Sequence, residues 1–177
     1  MNKNLKLNIG ITLWTLTSKE IRRFMRIWVQ TLVPPAVTMT LYFVIFGSLI
    51  GPRIGEMDGF DYVQFMIPGL IMMSVITGSY ANVVSSFYSV KFQKSIEELL
   101  FSPMPNWVIL LGFILGGVTR GILVGIIVFC VSLFFYPEFQ IVNIGLTITV
   151  LLLTSVLFAL MGFINAVFAD SFDDISV

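Results

Sequence analysis

The chain contains no histidine and a single cysteine, Cys130. The first absence removes a common metal ligand and the usual general base near neutral pH. The second excludes a disulfide framework; Cys130, set inside an apolar run, reads as a lipid-facing or packing residue. Charge is scarce too: aspartate, glutamate, lysine and arginine together make 11% of 177 residues, where a soluble domain carries about 25%. That is too little to wet a surface. With 57% hydrophobic residues and a mean hydropathy of +0.96, the solvent for most of this chain is a bilayer. The formal net charge is zero, so charge gives no argument for a nucleic-acid partner.

What is present is four apolar blocks. Ile27–Pro52, Tyr62–Val90 and Phe139–Ala169 are free of charge, and Leu99–Pro137 carries one, Arg120. A helix needs roughly 20 apolar residues to cross the hydrocarbon core, so each block supports one crossing. Backbone groups in lipid must bond internally, which makes these helices. The ten-residue alternation of an outer-membrane barrel is absent. The expected fold is an all-α polytopic membrane protein in one transmembrane domain. Its parts are an amphipathic segment 1–28, spans at 29–51, 62–90, 107–136 and 140–169, a loop helix within 91–104, and a tail 170–177.

Orientation follows from lysine and arginine. Residues 1–26 hold Lys3, Lys6, Lys19, Arg22, Arg23 and Arg26, and the loop after the second span adds Lys91 and Lys94. The loop after the first span has Arg53 against Glu56, Asp58 and Asp61. Both termini are therefore expected in the cytosol. Leu7–Thr17 is only weakly apolar and lacks the small-residue pattern of a cleaved signal peptide.

Within "TSKEIRRFMRIW", Ile21, Phe24, Met25 and Trp28 share one helical face, and Lys19, Arg22, Arg23 and Arg26 share the other. Thr17 with Glu20 fits a capping box. The stretch reads as a cationic interface helix with its basic face towards lipid phosphate, serving as anchor or as a mechanical elbow. Pro34 and Pro35 bias Val33 away from helix and predict a bend before the first span.

The second span carries a small and polar stripe: Ser74, Thr77, Gly78, Ala81, Asn82, Ser85, Ser86 and Ser89. It suits close helix packing or the lining of a pathway or subunit seam. Pro68 and Gly69 predict a kink. The third span has Gly112, Gly116, Gly117, Gly121 and Gly125, with three GxxxG spacings that predict a tightly packed face. Arg120 follows Trp107 by roughly 20 Å of helix. Burying it costs at least about 2.5–3.5 kcal/mol. The spans contain no acidic residue to pair with it, so it reads as a functional or interface residue. Asn165 reads as a packing hydrogen bond.

Between the second and third spans lies "VKFQKSIEELLFSPMPNW". Phe92, Ile96, Leu99 and Leu100 make one face of a short helix; Lys91, Lys94, Ser95, Glu97 and Glu98 make much of the rest, and Phe101 closes it. Ser102-Pro103 ends it, because proline lacks an N–H and disfavours helix at the preceding residue. A loop that only turned the chain would be shorter and richer in glycine. The stretch therefore reads as a rigid peg that docks a cytosolic protein.

"KSIEELLFSPMPNWVILLGFILGG" resembles the cytosolic loop and following span of ABC-2 type transporter permeases. The matching residues are Lys94, Ile96 to Leu100, Ser102-Pro103 and Gly112. The basic helix before the first span and "FADSFDD" after the fourth are also similar to that family. The resemblance implies a homodimeric inner-membrane exporter subunit whose ATPase docks on the 91–102 helix. The chain has no GxxxxGK[ST] phosphate loop, so ATP with Mg²⁺ is expected on that separate subunit and no cofactor on this one. Family members have six spans, and these 177 residues hold four, which suggests a truncation or partial record. A non-transporting four-span scaffold, or an inactive permease fragment, is the alternative. A membrane-embedded enzyme would need acid or histidine groups at membrane depth, which the spans lack.

Overall fold

The computed structural model describes residues 8–57, 60–137 and 143–175. Lys3, Lys6 and Asp58 lie outside them. As the hydropathy pattern predicts, the chain is almost entirely helical. Helix α1 (Ile9–Arg26) is followed by α2 (Trp28–Tyr42), a π-helical continuation (Phe43–Ile50) and the short α3 (Gly51–Ile54). A two-residue antiparallel ribbon, β1 (Glu56–Met57) with β2 (Phe60–Asp61), returns the chain. Then come α4 (Tyr62–Phe92), α5 (Ser95–Phe101), α6 (Asn106–Phe135), α7 (Ile144–Phe168) and a closing 3₁₀ turn at Asp173–Ile175. Among the described residues, four helices are long and apolar enough to cross a membrane: Trp28–Gly47, α4, α6 and α7.

Three local expectations are corrected. Helix α1 starts at Ile9 behind Asn8, so Thr17 and Glu20 lie in its middle and form no capping box. Tertiary partners decide their surroundings, and both are buried. The bend before the first span falls at Ile27 (φ −113°, ψ 34°), not at the prolines, and α2 runs through Pro34 and Pro35. Thr31 secures that bend: its hydroxyl donates to the carbonyls of Phe24 and Ile27, both at 3.2 Å. Finally, Lys91 belongs to the last turn of α4. A turn at Gln93–Lys94, with Lys94 in the left-handed region (φ 58°), separates it from α5.

Helices α4, α6 and α7 form the body. The larger core joins Val83, Val84 and Phe87 of α4 to Ile109, Phe113 and Ile114 of α6 and Ala159 and Ala166 of α7. Ile96 and Leu99 of α5 pack against it. A second core joins Met39, Phe43, Ile67, Leu70, Val124 and Val128. Glycine spacing explains the closeness. A Cβ at Gly117 or Gly121 would collide with Val83 or Ser79 of α4, and one at Gly125 would stand 2.6 Å from Val75. Gly112 and Gly116 face α1 instead, against Leu16 and Glu20. The five glycines thus serve two partners, which the spacing alone does not separate.

Candidate functional site

Most of the described charged residues gather at one end of the bundle, on α1, α5, the end of α4 and the tail after α7, while Arg53, Glu56 and Asp61 lie at the other. Helix α5 is stitched there from one side only. Ile96 and Leu99 turn inward, whereas Phe92, Leu100 and Phe101 are exposed, so the expected single apolar face is split. Phe101 is 88% exposed. Glu97 and Glu98 are exposed on the first turn, Lys94 is exposed at its N-cap and Ser95 is half-buried. Ser102 ends the helix in extended geometry (φ −65°, ψ 145°), as the following proline requires.

Lys91 faces inward, apart from that surface. Its Nζ donates to the carbonyl oxygens of Val167 (2.8 Å) and Ala169 (2.7 Å). It thereby satisfies two of the orphan carbonyls at the end of α7, where a cation also complements the helix dipole. The tail is fastened beside it. The Tyr88 hydroxyl donates to the Asp170 carbonyl (3.1 Å), and Phe172 packs edge-on against Tyr88 and Phe92. Asp174 Oδ2 accepts the N–H groups of Asp170 and Ser171, and those bonds hold its carboxyl below the usual carboxylate range. Asn165 donates to the Tyr80 hydroxyl (2.6 Å) and to the Asp174 carbonyl (3.3 Å). It makes the packing hydrogen bonds read for it from sequence.

Helix α1 does more than lie on a surface. Lys19, Arg22 and Arg26 are exposed and line a cavity of about 730 Å³ with Trp14 and Ser18. Arg23 lines it too but also reaches inward, which corrects the uniform basic face. Its Nη2 donates to Asn82 Oδ1 (2.9 Å) and to the Asn82 carbonyl (3.1 Å), and its Nε to Glu20 Oε2 (3.2 Å). Glu20 is 1% exposed and also accepts from the Ser86 hydroxyl. A buried carboxylate persists only when so partnered. Glu20 escaped the sequence reading because it was assigned to a cap; its i+3 spacing to Arg23 was the available signal.

The α4 stripe divides. Ser74, Asn82 and Ser86 are buried, Ser85 is half-buried and Thr77 is exposed. Ser74, Thr77 and Ser85 bond carbonyls of their own helix, at Leu70, Met73 and Ala81. A further bond across to α7 comes from Ser79, which meets Ser155 at 3.0 Å and which sequence reasoning passed over. Arg120 is half-buried on α6, one turn beyond Gly116, and Arg23 is the charge acting on it. At 30 residues α6 is about 45 Å long, against a core of about 30 Å, so its first turns extend beside a charged helix.

At the opposite end, an apolar cavity of about 960 Å³ opens between α4, α6 and the first half of α7, lined by Phe65, Ile71, Ile126, Phe129, Ile148 and Leu151 among others. Cys130 is exposed on α6. Among the described residues no cluster of acidic or thiol groups suits a metal ion.

The sequence pattern of the ABC-2 type transporter family matches residues 12–177. The chain is 60% identical over 167 residues to the inner membrane transport permease YadH of Escherichia coli K12, and equally to that of Shigella flexneri. Those matches cover 94% of this chain and 65% of each permease, so the chain spans about two thirds of their length. It is 25% identical over 135 residues to nodulation protein J of Rhizobium meliloti 1021, covering 75% of this chain and 51% of that protein. No solved structure matches. The chain therefore belongs to the ABC-2 type transporter family and is a multi-pass inner-membrane protein.

Proposed function

We propose that this chain is the membrane-spanning permease subunit of an ABC exporter, working as a homodimer and driven by a separate ATPase subunit that binds ATP with Mg²⁺. The basic residues of α1, Lys91 and Lys94 share one end, which supports a cytosolic face there and a cytosolic N-terminus. The observation that carries the reading is the one-sided helix α5. It offers Lys94, Glu97, Glu98 and Phe101 outward, with Ser95 half-buried beside them, and seats Ile96 and Leu99 on the core of three spans. A push on this surface reaches α4, α6 and α7 together. Lys91 acts inside that transmission by holding the α7 end to α4. Ser74, Asn82 and Ser86 are buried within one chain and Thr77 is exposed, which supports a pathway at the seam between two copies.

The test is affinity purification from native membranes in mild detergent. Wild-type bait should bring down an ABC ATPase subunit, and Glu98→Lys should recover it at least fivefold less while inserting normally. Equal recovery with both baits removes the docking assignment; no ATPase with either favours the non-transporting scaffold.

A further inference from the structure

The junction of α1, α4 and α6 holds more buried donors than acceptors. Glu20, the buried carboxylate there, is already engaged by Arg23 and Ser86. Arg120 Nε and Asn82 Nδ2 are buried and have no partner among the described residues. They belong to one neighbourhood. Asn82 Nδ2 lies 3.7 Å from where a Gly116 Cβ would stand, and Arg120 follows Gly116 by one helical turn on the same face. Arg23 bonds the other atom of the Asn82 amide and is the charge acting on Arg120. An unpaired buried donor costs free energy, and an unpaired cation at membrane depth costs more. One added oxyanion corrects both deficits.

We propose that Arg120, Asn82 and Arg23 form an oxyanion site that takes a phosphate group. The guanidinium forks suit phosphate geometry, and Asn82 Nδ2 supplies a neutral donor. Arg23 also lines the recess that holds Arg22, Lys19 and Arg26, a basic surface that gathers anions beside the site. An anionic lipid headgroup and a soluble phosphate share this chemistry. Basic pockets between spans on the cytoplasmic side are a known setting for the former.

The site is read without an ATPase, so its failure and that of the permease reading are separate results. The purified 177-residue chain in neutral detergent is offered phosphatidylglycerol or phosphatidylcholine, and retained lipid is counted by native mass spectrometry. Wild type should hold at least fivefold more of the anionic lipid. Arg120→Gln and Asn82→Leu should abolish the preference, Arg120→Lys should keep part of it, and Arg53→Gln at the opposite end should leave it whole. Displacement of the lipid by millimolar inorganic phosphate assigns the site to soluble phosphate; persistence assigns it to the headgroup. Equal retention of both lipids by wild type overturns the site without recourse to any variant. So does an unchanged preference in well-folded Arg120→Gln.

Discussion

The two ends of this bundle are built differently. At the basic end, α1 is tied to α4, and α4 to α7 and the tail, by charge-assisted hydrogen bonds, from Arg23 to Asn82 and from Lys91 to the Val167 and Ala169 carbonyls. At the other end, α7 starts behind Asn143, whose side chain accepts from the Leu146 N–H, and then presents Ile144, Leu146 and Ile148 outward beside a wide apolar cavity. Directional bonds hold one geometry, whereas apolar contact in lipid tolerates sliding, because lipid tails are as apolar as leucine. Under the proposed permease function, force would enter at the stiff end and rearrangement would occur at the soft one.

Substitutions can break this contrast. The largest effect is expected for Arg23→Ala, which leaves the buried Glu20 carboxylate with the Ser86 hydroxyl but without its cation. Removing one partner of a buried pair costs about 3–5 kcal/mol, so thermal unfolding in detergent should occur far below wild type; an unchanged midpoint would mean the network carries no stability. Next is Gly121→Val, which drives a side chain into Ser79 and overpacks α4 on α6 by about 1–3 kcal/mol. Its counterpart Ile148→Ala at the exposed end should stay within about 0.5 kcal/mol. Similar losses from the two would erase the distinction between stiff and soft ends.

Smaller effects sharpen it. Lys91→Met should free the α7 terminus, at a cost of about 1 kcal/mol for a partly exposed clamp. Faster amide exchange over residues 168–175, with the rest of α7 unaffected, is the expected signature. The least effect belongs to pH. Asp174 is held below its ordinary value by the Ser171 and Asp170 bonds. Its contribution is therefore present above the unfolded carboxylate value and is lost as pH falls through the lower folded one. Exchange at Ser171 should rise relative to neighbouring amides on acidification below the usual carboxylate range, and Asp174→Asn should flatten that dependence.

Much of this was legible beforehand for a plain reason. Hydropathy over 20 residues reflects solvent, and a backbone in lipid has few alternatives to a helix. The four spans, the α5 peg ended by Ser102-Pro103 and the glycine face of α6 follow from it. Local signals did worse where a neighbour outbid them. Thr17 and Glu20 match a cap, yet burial against α6 and the bond to Ser86 decided their role. Pro34 and Pro35 suggest a bend, yet the helix breaks at Ile27.

By itself, then, the sequence determined the solvent, the number of crossings and the segregation of basic residues, because these depend on composition summed along the chain. Only the tertiary structure decided which cations are spent inside. Lys91 and Arg23 read like their exposed neighbours Lys94 and Arg22, and what separates them is an acceptor more than fifty residues away. Hydrogen bonds act over about 3 Å of space, and no periodicity along the chain records which distant carbonyl will stand there.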